Sequence, residues 1–145
     1  MSTRIPRERL QRARAAHAER LRQAVADGRL ARDVAAAMMD PRMTRWRASV
    51  GFAVVDDFAR LSGPAENIVK VPAGLAWGDS RAEVAVTDRR RLRELYRVVL
   101  ADGTADQQAA ILNPDLLRSF WQPGLAEVPI MDVWESRFPQ LVEGR

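Results

Sequence analysis

The chain has no cysteine, one histidine, one tyrosine and a single lysine in 145 residues. Without cysteine there is no disulfide, no thiolate metal ligand and no cysteine nucleophile. The lone histidine, His17, falls on the apolar side of an alanine-rich stretch and reads as a packing residue, not a base. No run of 18 apolar residues exists, which excludes a hydrophobic membrane-spanning helix. The N-terminus lacks the hydrophobic core of a secretory signal. Its arginines with Ser2 and Thr3 have the composition of an organellar transit peptide, but Glu8 and Glu19 speak against that. A cytoplasmic chain is the expectation.

Catalytic patterns are missing too. No glycine-rich phosphate loop is present. Asp56 and Asp57 are adjacent and so point apart on a helix, and Glu66 and Lys70 have the wrong spacing for an acid–lysine nuclease pair on one strand face. Trp77-Gly78-Asp79-Ser80 has the Gly-Asp-Ser order of one hydrolase block, without the following leucine or a downstream Asp-x-x-His pair. A non-enzymatic protein without a cofactor or metal is expected.

What the chain does have is arginine. Of the 23 basic residues all but Lys70 are arginines. The first 47 residues hold twelve of them against five acids, a local charge of +7; as the whole chain is +4, residues 48–145 sum to −3. Arginine's planar fork suits phosphate and carboxylate alike. Alanine is equally abundant, as in GC-rich coding of a bacterium or its phage, so the position of the arginines informs more than their number. A chain polarised this way should hold its N-terminal end against something acidic: a nucleic acid, a partner protein, or its own C-terminal part.

The apolar spacing predicts a helix over 6–26, with Leu10, His17, Leu21, Ala24 and Val25 near one face, stopping at Asp27-Gly28. That stripe is mostly alanine, so it buries little area, and it is too weakly apolar for a membrane anchor. A short helix follows over 29–39, ended by Asp40-Pro41. Residues 42–61 keep a three/four spacing through Trp46, Val50, Ala53, Val54, Phe58 and Leu61 and read as one central core helix. Between 64 and 87, β-type runs suggest short strands or a hairpin around 67–86. Thr87 is the expected N-cap of a helix over 88–101. Thr104 should cap one over 105–112, and another short helix runs from Asp115 through Trp121. The segment 120–141 is rich in aromatics and proline, with one or two helical turns around 131–137. The fold class is mainly α with a small β insertion (α+β). An Arg-rich helical arm, 1–40, precedes a core domain, 41–145.

Two functions compete. The first is a subunit or adaptor of a bacterial or phage protein assembly, docking on another protein chain in a hetero- or homo-oligomer. Its contact residues would be Arg7, Arg12, Arg14, Arg20, Arg22, Arg29 and Arg32, with a second row at Arg89, Arg93 and Arg97. Trp121 and Trp134 would be buried anchors, unless the tail's aromatics close the domain's own core. The alternative is a DNA-binding regulator or packaging factor using the same arginines on phosphates. Two segments can be laid on a helix-turn-helix template: 21–39, with Arg29 and Arg32 at the base-reading end but a poor match in the apolar residues around the turn, and 92–112 around Gly103, with Gln107 and Gln108 but no base-reading arginine. No membrane partner is expected.

Overall fold

The computed structural model describes residues 5–75 and 82–143; the Trp77-Gly78-Asp79-Ser80 run lies outside them. Helix α1 (Arg7–Ala26) begins after Pro6, whose missing N–H is harmless at a helix start and whose carbonyl accepts from Leu10 N. It stops at Asp27-Gly28. Arg29 N then bonds back to Ala24 O (2.9 Å), so α2 starts three residues later than the spacing suggested, at Arg32–Met39. Asp40-Pro41 both ends α2 and starts α3 (Pro41–Val50), where the Asp40 carboxylate accepts from Arg42 N.

The expected single helix over 42–61 is corrected. Gly51 takes φ +78° and ψ −178°, a conformation open essentially to glycine alone, and α3 ends there. Residues 51–57 form no helix, and a 3₁₀ turn, Phe58–Arg60, follows with Asp57 as its cap. The break splits the apolar stripe. Phe52, Val55 and Leu61 enter the core, whereas Trp46 and Val50 face solvent.

Gly63 then brings the chain hard against the end of a later helix. Its N–H bonds Leu112 O at 3.0 Å, and a Cβ there would lie 1.9 Å from the Ile111 carbonyl oxygen. Strands β1 (Ile68–Lys70) and β2 (Glu83–Ala85) pair antiparallel with Val69 opposite Val84, both buried. This is the hairpin expected around 67–86, although Leu75 lies in a turn outside it.

Helix α4 (Arg89–Asp102) is capped by Asp88, not Thr87: the Asp88 carboxylate reaches Arg91 N, and Thr87 sits in the turn before. Helix α5 (Ala105–Ile111) has the reciprocal Thr104–Gln107 capping box. Asn113 caps α6 (Pro114–Phe120), which stops one residue short of Trp121. Helix α7 (Val128–Arg137) starts earlier than expected, with Pro129 in its first turn, and a 3₁₀ turn, Pro139–Leu141, closes the described chain.

The main core gathers on Leu92, Leu95, Tyr96, Val99 and Leu100 of α4, against α6 and α7. A second, small cluster of Leu21, Ala35 and Met38 joins α1 to α2. The fold is mainly α with a small β insertion: seven α-helices and one two-stranded hairpin among the described residues.

Candidate docking surface

The acidic recipient of several N-terminal arginines is the chain's own C-terminal part. Asp132 and Glu135 stand one turn apart on α7 and share a face. Arg9 Nε donates to Asp132 Oδ2 at 2.7 Å, and Arg20 donates to both oxygens of Glu135 at 3.0 and 3.2 Å. Trp121 Nε1 donates to Glu135 Oε2 at 3.0 Å. His17 is buried between them, and the Arg20 guanidinium lies 2.7 Å from its ring nitrogens. Burial first, then Arg20, lowers its pKa to about 4, with Glu135 and Asp132 opposing. His17 is a neutral packing residue at neutral pH.

Arg47, on α3, is buried. Its Nε and Nη2 donate to Glu127 Oε1 at 3.3 and 3.0 Å, and Nη1 donates to the Ala101 carbonyl at 3.2 Å. Neither Arg9 nor Arg47 stood out in the sequence, nor did Glu127, Asp132 and Glu135. The legible signal was the Asp132/Glu135 spacing, one turn apart on a helix.

The sequence-selected residues divide. Arg20 is held as described, and Arg14 Nη2 donates to the Met39 carbonyl at the end of α2 (2.8 Å). Arg22 pairs with Glu19, and Arg29 bonds Asp27 and Gln122. Arg7, Arg12 and Arg32 are exposed and make no ion pair or hydrogen bond among the described residues. On α4, Arg89 lies over the Phe120 ring (4.5 Å) and reaches Ser119, while Arg93 and Arg97 are half-buried without an ion pair among the described residues.

Trp121 and Trp134 sit inside the chain's own core, their rings 6.3 Å apart, and Trp134 packs on Phe138. In this conformation neither is presented to a partner. The second helix-turn-helix template is also altered by burial. Gln107 is occupied in the α5 cap, and Gln108 is buried with Nε2 bonded to the Ala53 carbonyl (2.9 Å), so neither is free to read a base.

Of the four exposed large apolar side chains among the described residues, Ile68 stands on β1 and the other three on α3, where the sequence reading had placed core. Trp46 is 52% exposed, Val50 49% and Met43 39%. At 3.6 residues per turn the three share one stripe. Beside it, a cleft of about 560 Å³ opens between α3 and the junction of α4 and α5. The Arg47 guanidinium lies 4.7 Å from the centre of the Trp46 ring and so supports it from below.

No protein-family model matches the chain, and no curated protein or solved structure is significantly similar to it. Among the described residues no helix is long and apolar enough to cross a membrane, and no group of three or more His, Cys, Asp or Glu residues is placed to hold a metal ion.

Proposed function

We propose that the chain is a non-enzymatic subunit or adaptor, cytoplasmic and of bacterial or phage origin, that docks on an acidic protein through its basic N-terminal layer, α1 to α3. The observation that carries this reading is the unequal treatment of the arginines. Arg9, Arg20 and Arg47 are answered by α7 and its start, whereas Arg7, Arg12, Arg32 and Arg45 are exposed and unanswered among the described residues. They lie on the same layer as the exposed Trp46, and Trp and Arg are the residue types that dominate protein interfaces. Docking then relies on a folded layer held by the C-terminal acids, in place of a loose arm. The alternative, a DNA-binding regulator or packaging factor, would use the same arginines on phosphates.

One experiment separates them. The tagged chain is purified from its native host after nuclease treatment, beside the triple variant R7E/R12E/R32E. A protein retained in stoichiometric amount by the native chain and lost by the variant, at equal melting temperature, supports docking. Nucleic acid recovered in its place, from a parallel purification without nuclease, overturns it. Binding of that kind would fall about one log unit per phosphate contact for each tenfold rise in salt.

A further inference from the structure

We propose that the Met43–Trp46–Val50 face of α3, with the cleft beside it, is the seat of an acidic amphipathic helix supplied by the partner protein. This rests on the docking role above and names where and how the contact is made.

An exposed apolar stripe at i, i+3 and i+7 on one helix is covered most simply by the apolar stripe of a second helix packed along it. Met43, Trp46 and Val50 have that spacing and are all exposed. The cleft at their side has a mixed lining, with Val50, Phe52 and Ala105 beside Arg47, Asp102 and Thr104, and so admits the edge of a partner helix where its apolar stripe meets polar residues. Trp46 is already oriented. Its ring rests on the Arg47 guanidinium, and Glu127 and the Ala101 carbonyl hold that group in place. An anchor fixed before binding loses little freedom on contact.

Charge selects the occupant. Helix α3 contains three arginines and no acid. Arg47 is consumed inside the protein. Arg42 and Arg45 remain at the surface, on the side of the stripe away from the cleft; among the described residues Arg42 pairs with its own cap, Asp40, at 3.4 Å, and Arg45 acts on the same carboxylate without forming an ion pair. A docked helix with carboxylates flanking its apolar stripe meets these two. The far lip of the cleft carries the exposed Asp102, so that border of the partner should be neutral or basic.

A second copy of this chain fits poorly. A twofold contact sets α3 against α3, so two helices that each carry three arginines and no acid meet with like charge. Single-stranded nucleic acid is also a poor match, since successive bases want successive aromatic platforms and Trp46 stands between Met43 and Val50.

The test uses the full chain and two synthetic amphipathic helices of about 18 residues. They share a leucine stripe and differ in their flanks, glutamate in one and lysine in the other; fluorescence anisotropy reads the binding. The glutamate helix should bind and the lysine helix should not. Trp46→Ala should weaken the binding at least about thirty-fold while the chain keeps its helical signal and a cooperative melt, as expected for a central aromatic anchor. Arg45→Glu, a surface change that leaves packing alone, should shift preference toward the lysine helix.

Equal binding of both helices, or binding indifferent to Trp46→Ala, overturns the proposal. So does a dimer that Trp46→Ala dissolves, which gives the face to a second copy. Oligothymidylate binding lost in the same variant overturns it as well. A native partner still held in full by the Trp46→Ala and Arg45→Glu chains overturns this seat and leaves the docking role standing. The absence of any partner for the native chain overturns the role itself.

Discussion

Arg47 and Glu127, 80 residues apart in sequence, are joined by two hydrogen bonds onto one carboxylate oxygen, and the arginine side chain is only 6% exposed. This contact ties α3 to the start of α7. It also places the guanidinium beneath Trp46. A structural ion pair and a surface aromatic are therefore parts of one unit.

Removing the arginine leaves Glu127 and the Ala101 carbonyl without their donor. Arg47→Ala should destabilise the protein by about 3 kcal/mol or more, the usual range for breaking a buried pair from one side. Urea unfolding of the two single variants and the double Arg47→Ala/Glu127→Ala should show strong non-additivity. Purely additive losses would mean the pair acts as two independent side chains.

The buried His17 makes stability depend on pH. Its folded pKa of about 4 lies below the ordinary 6.5, so the unfolded chain takes up the proton first. Stability is complete above pH 6.5 and declines as pH falls toward 4, by up to about 1.4 kcal/mol per pH unit from this group. Melting curves between pH 7 and 5 should show that decline, and His17→Gln should flatten it. An equal slope in the variant would place the titration elsewhere.

Glu135 accepts from two donors, Arg20 on α1 and the Trp121 indole just after α6, with the neutral His17 ring 3.8 Å away. Glu135→Ala strands the buried Trp121 N–H and should cost about 1–3 kcal/mol. Glu135→Gln keeps an acceptor for that N–H and should lose distinctly less. Chemical denaturation of the pair gives the comparison, and equal losses would assign the effect to charge alone.

At Gly51 the backbone itself is the constraint. Gly51→Ala puts a Cβ on a residue at φ +78° and ψ −178° and should lower stability by about 1–3 kcal/mol. The far-UV helical signal should hardly change, since α3 already ends there. A rise in helix content would show that α3 extends once the glycine is gone.

Helix positions were legible wherever a cap coincided with a periodic stripe, as at Thr104 and along Leu92, Leu95, Tyr96 and Val99. The 42–61 segment misled because its spacing stays helical across Gly51, and only the positive φ reveals that the two halves turn different faces inward. The same break hid the exposed face of α3: Trp46 reads as core in a continuous helix and is exposed in an interrupted one. The basic N-terminal charge was plain in the sequence. Its partition was not, because pairs such as Arg9–Asp132 and Arg20–Glu135 depend on tertiary packing that no local pattern records. His17 was legible as a packing residue, since an isolated histidine in an alanine-rich stripe has no neighbour to act with.

The pairing of the first helix with the seventh sets an order of events during synthesis. Arg9 meets Asp132 across 123 residues of sequence. At about 5–20 residues per second, the first helix leaves the ribosome several seconds before its carboxylates exist. Through that interval Arg9 and Arg20 lack their carboxylates beside ribosomal RNA, and α1 and α2 hold to each other through the small Leu21–Ala35–Met38 cluster. The emergence of α7 is the moment at which the N-terminal layer acquires its permanent ionic partners. The ionic closure of the N-terminal layer therefore waits on the synthesis of α7.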